Sequence, residues 1–225
     1  LSNNYLLSET DVSHVHRLQA ELESLEESVL ELTSEQEEHS EPYSFLEERL
    51  ENLQATLKEI EDEQVEVSQR LAQIEKDDIN ARQKANVYVN RLHTIKRYME
   101  KRNLPGIPQN FLQLFFTASN HTEELMAELE EARVNIEAVN RMLEIATNDI
   151  EALEEETYNI VQYATLTEQL LQYSNRYRSF DERIQEAFNE SLEIFEKEFD
   201  YHASFDKISQ ALEVAEQIGR ASCRE

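Results

Sequence analysis

The chain has 225 residues but only two Gly and three Pro, so it can turn tightly in few places and must run in long uninterrupted elements. Its formal charge of −27 repels phosphate, which argues against wrapping nucleic acid or adsorbing to anionic lipid. No apolar stretch reaches the roughly 18 residues that a membrane span needs, and no secretory signal is present.

The first helix signal is Ser8-Glu9-Thr10-Asp11, with Ser8 or Thr10 as N-cap and acids in the first turn. Val15, Leu18, Leu22, Leu25, Val29 and Leu32 then follow in steps of 3 and 4, a heptad stripe on one helix face. A polar run from Glu35 to Glu41, and then Pro42, end it. The second stripe runs Leu46, Leu50, Leu53, Leu57, Ile60, Gln64, Val67, Leu71, Ile74, Asp78, Ala81, Ala85, Tyr88, Leu92, Ile95 and Met99 in strict alternation. A helix from 43 to 102 would be roughly 90 Å long at the α-helical rise. Asp77-Asp78 reads either as a local irregularity or as a polar core position that fixes register.

Asn103-Leu104-Pro105-Gly106-Ile107-Pro108 must reverse the chain, and Lys96, Arg97, Lys101 and Arg102 before it suit a helix C-terminus. Phe111, Leu112, Leu114, Phe115 and Phe116 either pack the turn against the helices or form an exposed aromatic patch. With Ser119 or Asn120 as cap, a third stripe is expected through Leu125, Leu129, Ala132, Ile136, Val139, Leu143, Ala146, Ile150 and Leu153. It continues through Thr157, Ile160, Ala164, Thr167 and Leu171. Beyond Phe180 the pattern changes to Ile184, Phe188, Leu192, Phe195 and Phe199. A short final helix is expected at Phe205, Ile208 and Leu212, after a joint at Tyr201-His202-Ala203-Ser204.

The expected fold is therefore all-α, with helices running up, down and up again and a Pro-Gly reversal between the two longest. A stripe two apolar positions wide cannot be buried by one helix alone, so antiparallel three-helix bundling or dimerisation must cover it.

Carboxylates are so frequent that no pair of them marks a catalytic site, and an enzyme is not expected. Metal ligation fails on spacing. Di-iron bundles need Glu-x-x-His motifs, and only His14 has an acid, Asp11, three residues before it. Glycines are too few for phosphate-binding loops or nucleophile elbows, so no cofactor is expected. Cys223, the single cysteine, excludes an intramolecular disulfide. One segment stands out: Leu171-Gln172-Tyr173-Ser174-Asn175-Arg176-Tyr177-Arg178-Ser179-Phe180 places two Arg and two Tyr within six residues of an acidic chain, and Arg183 follows. Tyr and Arg are enriched at interface hot spots. They would equally suit a bundle helix with its Tyr inward and its Arg paired to neighbouring Glu.

The Asn103–Pro108 turn, the segment QYSNRYR over 172–178 and the closing Phe205-Asp206-Lys207-Ile208-Ser209-Gln210-Ala211-Leu212-Glu213 together resemble the EzrA family, the septation ring formation regulators of Gram-positive bacteria. The resemblance covers residues 1–216 and corresponds to the C-terminal part of the family's rod. It implies an elongated antiparallel bundle of spectrin-like three-helix repeats with long coiled-coil helices. It also implies a single-pass N-terminal anchor upstream, which places the rod on the cytoplasmic side of the cell membrane at the division septum. The implied role is negative regulation and scaffolding of the division ring. The rod would bind FtsZ, limit its assembly, and link it to other division and wall-synthesis proteins, with self-association open. The family's midcell recruitment patch carries over to Gln172, Asn175 and Arg176 within 172–178. These three sit at i, i+3 and i+4, one face of a helix. A different class of reading is a purely structural coiled-coil spacer, which predicts a parallel dimer; crosslinks between the second and third stripes within one monomer would exclude it.

On this reading residues 1–178 are the helical rod and 179–217 are C-terminal helices that pack on it. The last eight residues, 218–225, match the translation of a sequencing-library adapter (ATC GGA AGA GCG TCG TGT AGG GAA) and are expected to be a read-through artefact. The chain also begins at Leu1, so it is expected to be a fragment.

Overall fold

The heptad stripes become helices in the computed structural model, which describes residues 5–7, 9–38 and 43–222, without side chains at 32, 34–38, 43–46 and 217–222. Among the described residues there are six α-helices: α1 (Glu9–Glu38), α2 (Tyr43–Arg102), α3 (Gln109–Glu130), α4 (Ile136–Ser174), α5 (Glu182–Glu193) and α6 (Tyr201–Ser222), with a π-helical turn at Ile194–Glu198. The expected all-α fold is observed. The Ser8 cap, Pro42 and Cys223 lie outside the described residues.

The chain divides into two compact units, one of residues 1–82 and 127–140, the other of 83–126 and 141–225. In the first unit α1 runs antiparallel to the N-terminal part of α2. Arg17 Nη2 lies 2.5 Å from Glu63 Oε2, and Arg70 pairs with Asp11 further along. The seam between them is thinly covered. Ile60 is buried, but Leu22, Val29, Leu50 and Leu57 are exposed. Asp78 proves to be a buried polar core position: its Oδ2 accepts from the Tyr5 hydroxyl at 3.2 Å and its Oδ1 from Arg82 Nε at 3.0 Å. Burial, and then the Asp78 charge, push the Tyr5 phenol above its ordinary range.

The third stripe is not one helix. Ser119 and Asn120 lie inside α3, which begins at Gln109 directly after the turn. The chain then breaks at 131–135, where Ala132 of the expected stripe is exposed and Val134 is buried instead. Asn135 is the cause. Its Oδ1 accepts from the Ala138 backbone N at 3.1 Å, an N-cap that starts α4. Val134 and Val139 hold the N′ and N4 positions around that cap, and both are buried, the placement of a hydrophobic staple. Tyr5 bridges to Val134, with Leu6 N donating to Val134 O at 2.9 Å.

In the second unit the helix directions differ from those expected. The side-chain contacts Tyr88–Thr147, Arg91–Glu154 and Arg102–Glu168 pair rising numbers with rising numbers, so α4 runs parallel to α2. Asn110–Glu156 and His121–Asp149 pair in the opposite sense, so α3 is the antiparallel member. The expected single Pro-Gly reversal between the two longest helices is therefore corrected to two reversals. The seam is otherwise as read: Tyr88, Leu92, Ile95, Met99, Leu143, Ala146, Ile150, Leu153, Ile160 and Ala164 are all buried. Thr157 and Thr167 are buried too, with hydroxyls bonded to Leu153 O and Tyr201 O.

The Asn103–Pro108 turn is clamped by residues far along the chain. Tyr201 Oη donates to Gly106 O at 2.7 Å, and a Cβ on Gly106 would stand 2.4 Å from the Phe199 ring. Asn103 and Phe199 both take left-handed backbone, φ 53° and 60°. Phe111 is buried below the turn, whereas Phe116 is 67% exposed. The joint falls at Phe199–Asp200, two residues before its expected start, and α6 is 22 residues long rather than short. Ser191 and Ser204 exchange hydroxyl-to-carbonyl bonds of 2.8 and 2.7 Å across the buried α5–α6 contact.

Candidate partner-binding surface

Leu171, Ile184, Ala187, Ile208 and Leu212 form one cluster that packs the end of α4 against α5 and α6. This cluster fixes the segment that follows α4. The helix ends at Ser174, whose Oγ bonds to Leu171 O at 3.0 Å with the side chain fully buried. Residues 175–180 then form overlapping turns: Tyr177 N reaches Ser174 O at 2.9 Å, and Phe180 N reaches Tyr177 O at 2.9 Å. The expected single helix face through Gln172, Asn175 and Arg176 is thus corrected, because a turn and not a helix presents the latter two. The regular ladder ends here because i→i+3 bonds, such as Arg176 N to Tyr173 O at 3.3 Å, mix with i→i+4 bonds, such as Arg178 N to Ser174 O at 3.1 Å.

The seven residues divide by what they touch. Ser174 is structural. Gln172, Tyr173, Asn175, Arg176 and Tyr177 are exposed. The two tyrosine rings lie 5.3 Å apart, with Tyr177 Oη donating to Tyr173 Oη at 3.4 Å. That hydrogen bond holds the Tyr173 phenol above its ordinary range. Arg178 lies over the Phe188 ring, 4.7 Å from its centroid. Arg183 is bound to Asp181 through Nη2 at 3.0 Å. Arg176 alone of these three makes no side-chain hydrogen bond, ion pair or ring contact among the described residues. A guanidinium left in this state is the group best placed to form a charge-assisted contact with another molecule.

One exposed aromatic residue of the 171–180 segment lies outside the 172–178 patch. Phe180 is 88% exposed, beside the Tyr173–Tyr177 pair in sequence and just before the α5 cap. Its signal was available: an apolar residue preceding Asp181, with polar Gln185 at the position that would cover it. Among the described residues no group of three or more His, Cys, Asp or Glu is placed to hold a metal ion. No described helix is long and apolar enough to cross a membrane.

The family model "Septation ring formation regulator, EzrA" matches residues 1–218. Proteins named septation ring formation regulator EzrA from Streptococcus pneumoniae strain Hungary19A-6 and serotype 19F strain G54 are each 79% identical over 216 residues, 96% of this chain. The same holds for serotype 2 strain D39. The chain spans 38% of the length of these curated relatives. No solved structure matches the chain.

Proposed function

The chain belongs to the EzrA family of septation ring formation regulators, and from that premise we propose that it is a contact-making part of a regulator of the bacterial division ring. The observation that carries the reading is the exposed turn at 172–178, where Arg176 has no side-chain partner among the described residues, on a chain of charge −27. In this reading Gln172, Asn175 and Arg176 recruit the protein to midcell. The helical unit binds FtsZ and holds down its assembly, while further division and wall-synthesis proteins attach along the same chain. Binding is stoichiometric: contacts that favour free subunits, or disfavour lateral association of filaments, shift the polymerisation equilibrium by mass action. Attachment to the cytoplasmic face of the membrane comes from an anchor outside this chain.

Two experiments test it. Sedimentation of FtsZ polymer with excess purified chain should show less polymer or less bundling; unchanged polymer mass and critical concentration would remove the assembly role. In cells, Arg176→Glu combined with Gln172→Ala in the full-length protein should abolish midcell recruitment while helicity is kept; unchanged localisation would remove the patch.

The alternative reading, a coiled-coil spacer without specific contacts, is favoured by the exposed α1–α2 seam, where Leu22, Val29, Leu50 and Leu57 stay uncovered. A spacer of that kind predicts a parallel dimer through this seam, detectable as intermolecular crosslinks between equivalent residues.

A further inference from the structure

An apolar residue at the N′ position of a helix ordinarily packs onto the residue at N4 and fixes the entry of the chain. At α5 the N-cap is Asp181, whose side chain accepts from Arg183 N at 3.0 Å, so Phe180 is N′ and Gln185 is N4. Gln185 is polar and gives its side-chain amide to Asn189 at 3.0 Å. The staple has no second half, and Phe180 is left 88% exposed, more than any other large hydrophobic side chain among the described residues. Leaving a Phe ring in water forfeits the burial of a large apolar side chain, and no described residue covers it. In the same segment stand Arg176, without a side-chain partner among the described residues, and the half-exposed rings of Tyr173 and Tyr177.

We propose that Phe180 is the apolar anchor of this surface, and that the occupant is a partner-protein segment carrying an apolar side chain flanked by carboxylates. The proposal rests on the recruitment reading above and adds to it the anchor and the chemistry of the partner. Charge selects the occupant. Residues 172–180 hold two Arg and no acid in a chain of charge −27, and Asp181 beside them is already bound to Arg183, so the Arg176 guanidinium is the charge that an acidic segment can reach. A second copy of this chain would present the same Arg176 and so offers this patch no complementary charge. An anionic bilayer is opposed by the acidic surface around the patch. Aromatic anchors beside Arg are the residue types that dominate interface energetics, and Tyr or Phe supply area at small entropic cost.

The test uses the full chain and a fluorescein-labelled peptide of alternating acidic residues and leucines, read by fluorescence anisotropy. Saturable binding is expected. Phe180→Ser and Arg176→Gln should each weaken it about tenfold or more, with helicity unchanged. Phe116→Ser, which removes a ring 67% exposed on α3, should leave it unchanged. A peptide with lysine in place of each acid should bind the acidic chain without regard to Phe180. The proposal is overturned if the acidic peptide does not bind saturably, if Phe180→Ser has no effect, or if Phe116→Ser weakens binding equally. It is also overturned if Phe180 instead governs partition onto phosphatidylglycerol vesicles. Its failure is separable from that of the recruitment reading: should Phe180→Ser bind and localise normally while Arg176→Glu with Gln172→Ala does not localise, only the anchor is lost.

Discussion

Two helix starts in this chain are each capped by an Asn or Asp side chain and differ in what lies four residues on. At α4, Asn135 caps, Val134 precedes it, and Val139 at N4 is buried along with Val134. At α5, Asp181 caps, Phe180 precedes it, and Gln185 at N4 is polar. The first start is closed and holds a chain reversal in place. The second keeps the cap and omits the apolar partner, so the ring that would have closed it faces solvent. The cap therefore sets where a helix begins, while the N4 residue decides whether its entry serves packing or is left free for contact.

Substitutions can break this comparison in order of size. Val134→Asp puts a charge into the closed entry and should cost about 3 kcal/mol or more in urea denaturation followed by circular dichroism. Phe180→Asp, the same chemistry at the open entry, should change stability by less than about 0.5 kcal/mol. Equal costs would dissolve the distinction. Asn135→Ala should cost about 1 kcal/mol through loss of the Ala138 N–H bond, and a Ser there should restore most of it. Gln185→Leu should close the open staple and gain roughly 0.5 kcal/mol. It should also protect Phe180 and weaken the acidic peptide, a loss of binding from a stabilising change.

The smallest effect is electrostatic. The hydrogen bond from Arg183 holds the Asp181 carboxyl below its ordinary range. Its folded-state value is depressed, so its contribution is fully present above ~3.9 and fades as pH falls through the lower folded value. Asp181→Asn should melt below the unsubstituted chain at neutral pH, and the two melting curves should converge in strong acid.

Heptad steps made the buried seams legible from Tyr88 to Met99 and from Leu143 to Leu171, because a two-position stripe has one way to be covered. The same regularity concealed the break at 131–135. The steps Leu129, Ala132, Ile136 continue the count across it, and no Gly or Pro marks it. Only Val134-Asn135 before an acidic first turn betrayed a cap, and a lone Asn inside a strong periodic pattern reads as one more polar residue. At the candidate surface the residue types were visible and the geometry was not. α4 ends one turn after Leu171 joins the cluster with α5 and α6, a limit set by that packing rather than by local sequence. Burial of Asp78 was one of two open readings, and Tyr5, a residue 73 positions away, settled it.

The clamp on the Asn103–Pro108 turn has a consequence in time. Tyr201 and Gly106 stand 95 residues apart, so in a chain made from its N-terminus the Asn103–Pro108 turn stays exposed to water until α6 has left the ribosome. Loop closure over that distance is slow beside the forming of any single helix, which makes docking of Phe199 and Tyr201 a late event in folding. A nascent chain halted before Phe199 should keep its helices yet leave Gly106 open to proteases, so limited proteolysis of stalled chains would reveal when the second unit is sealed.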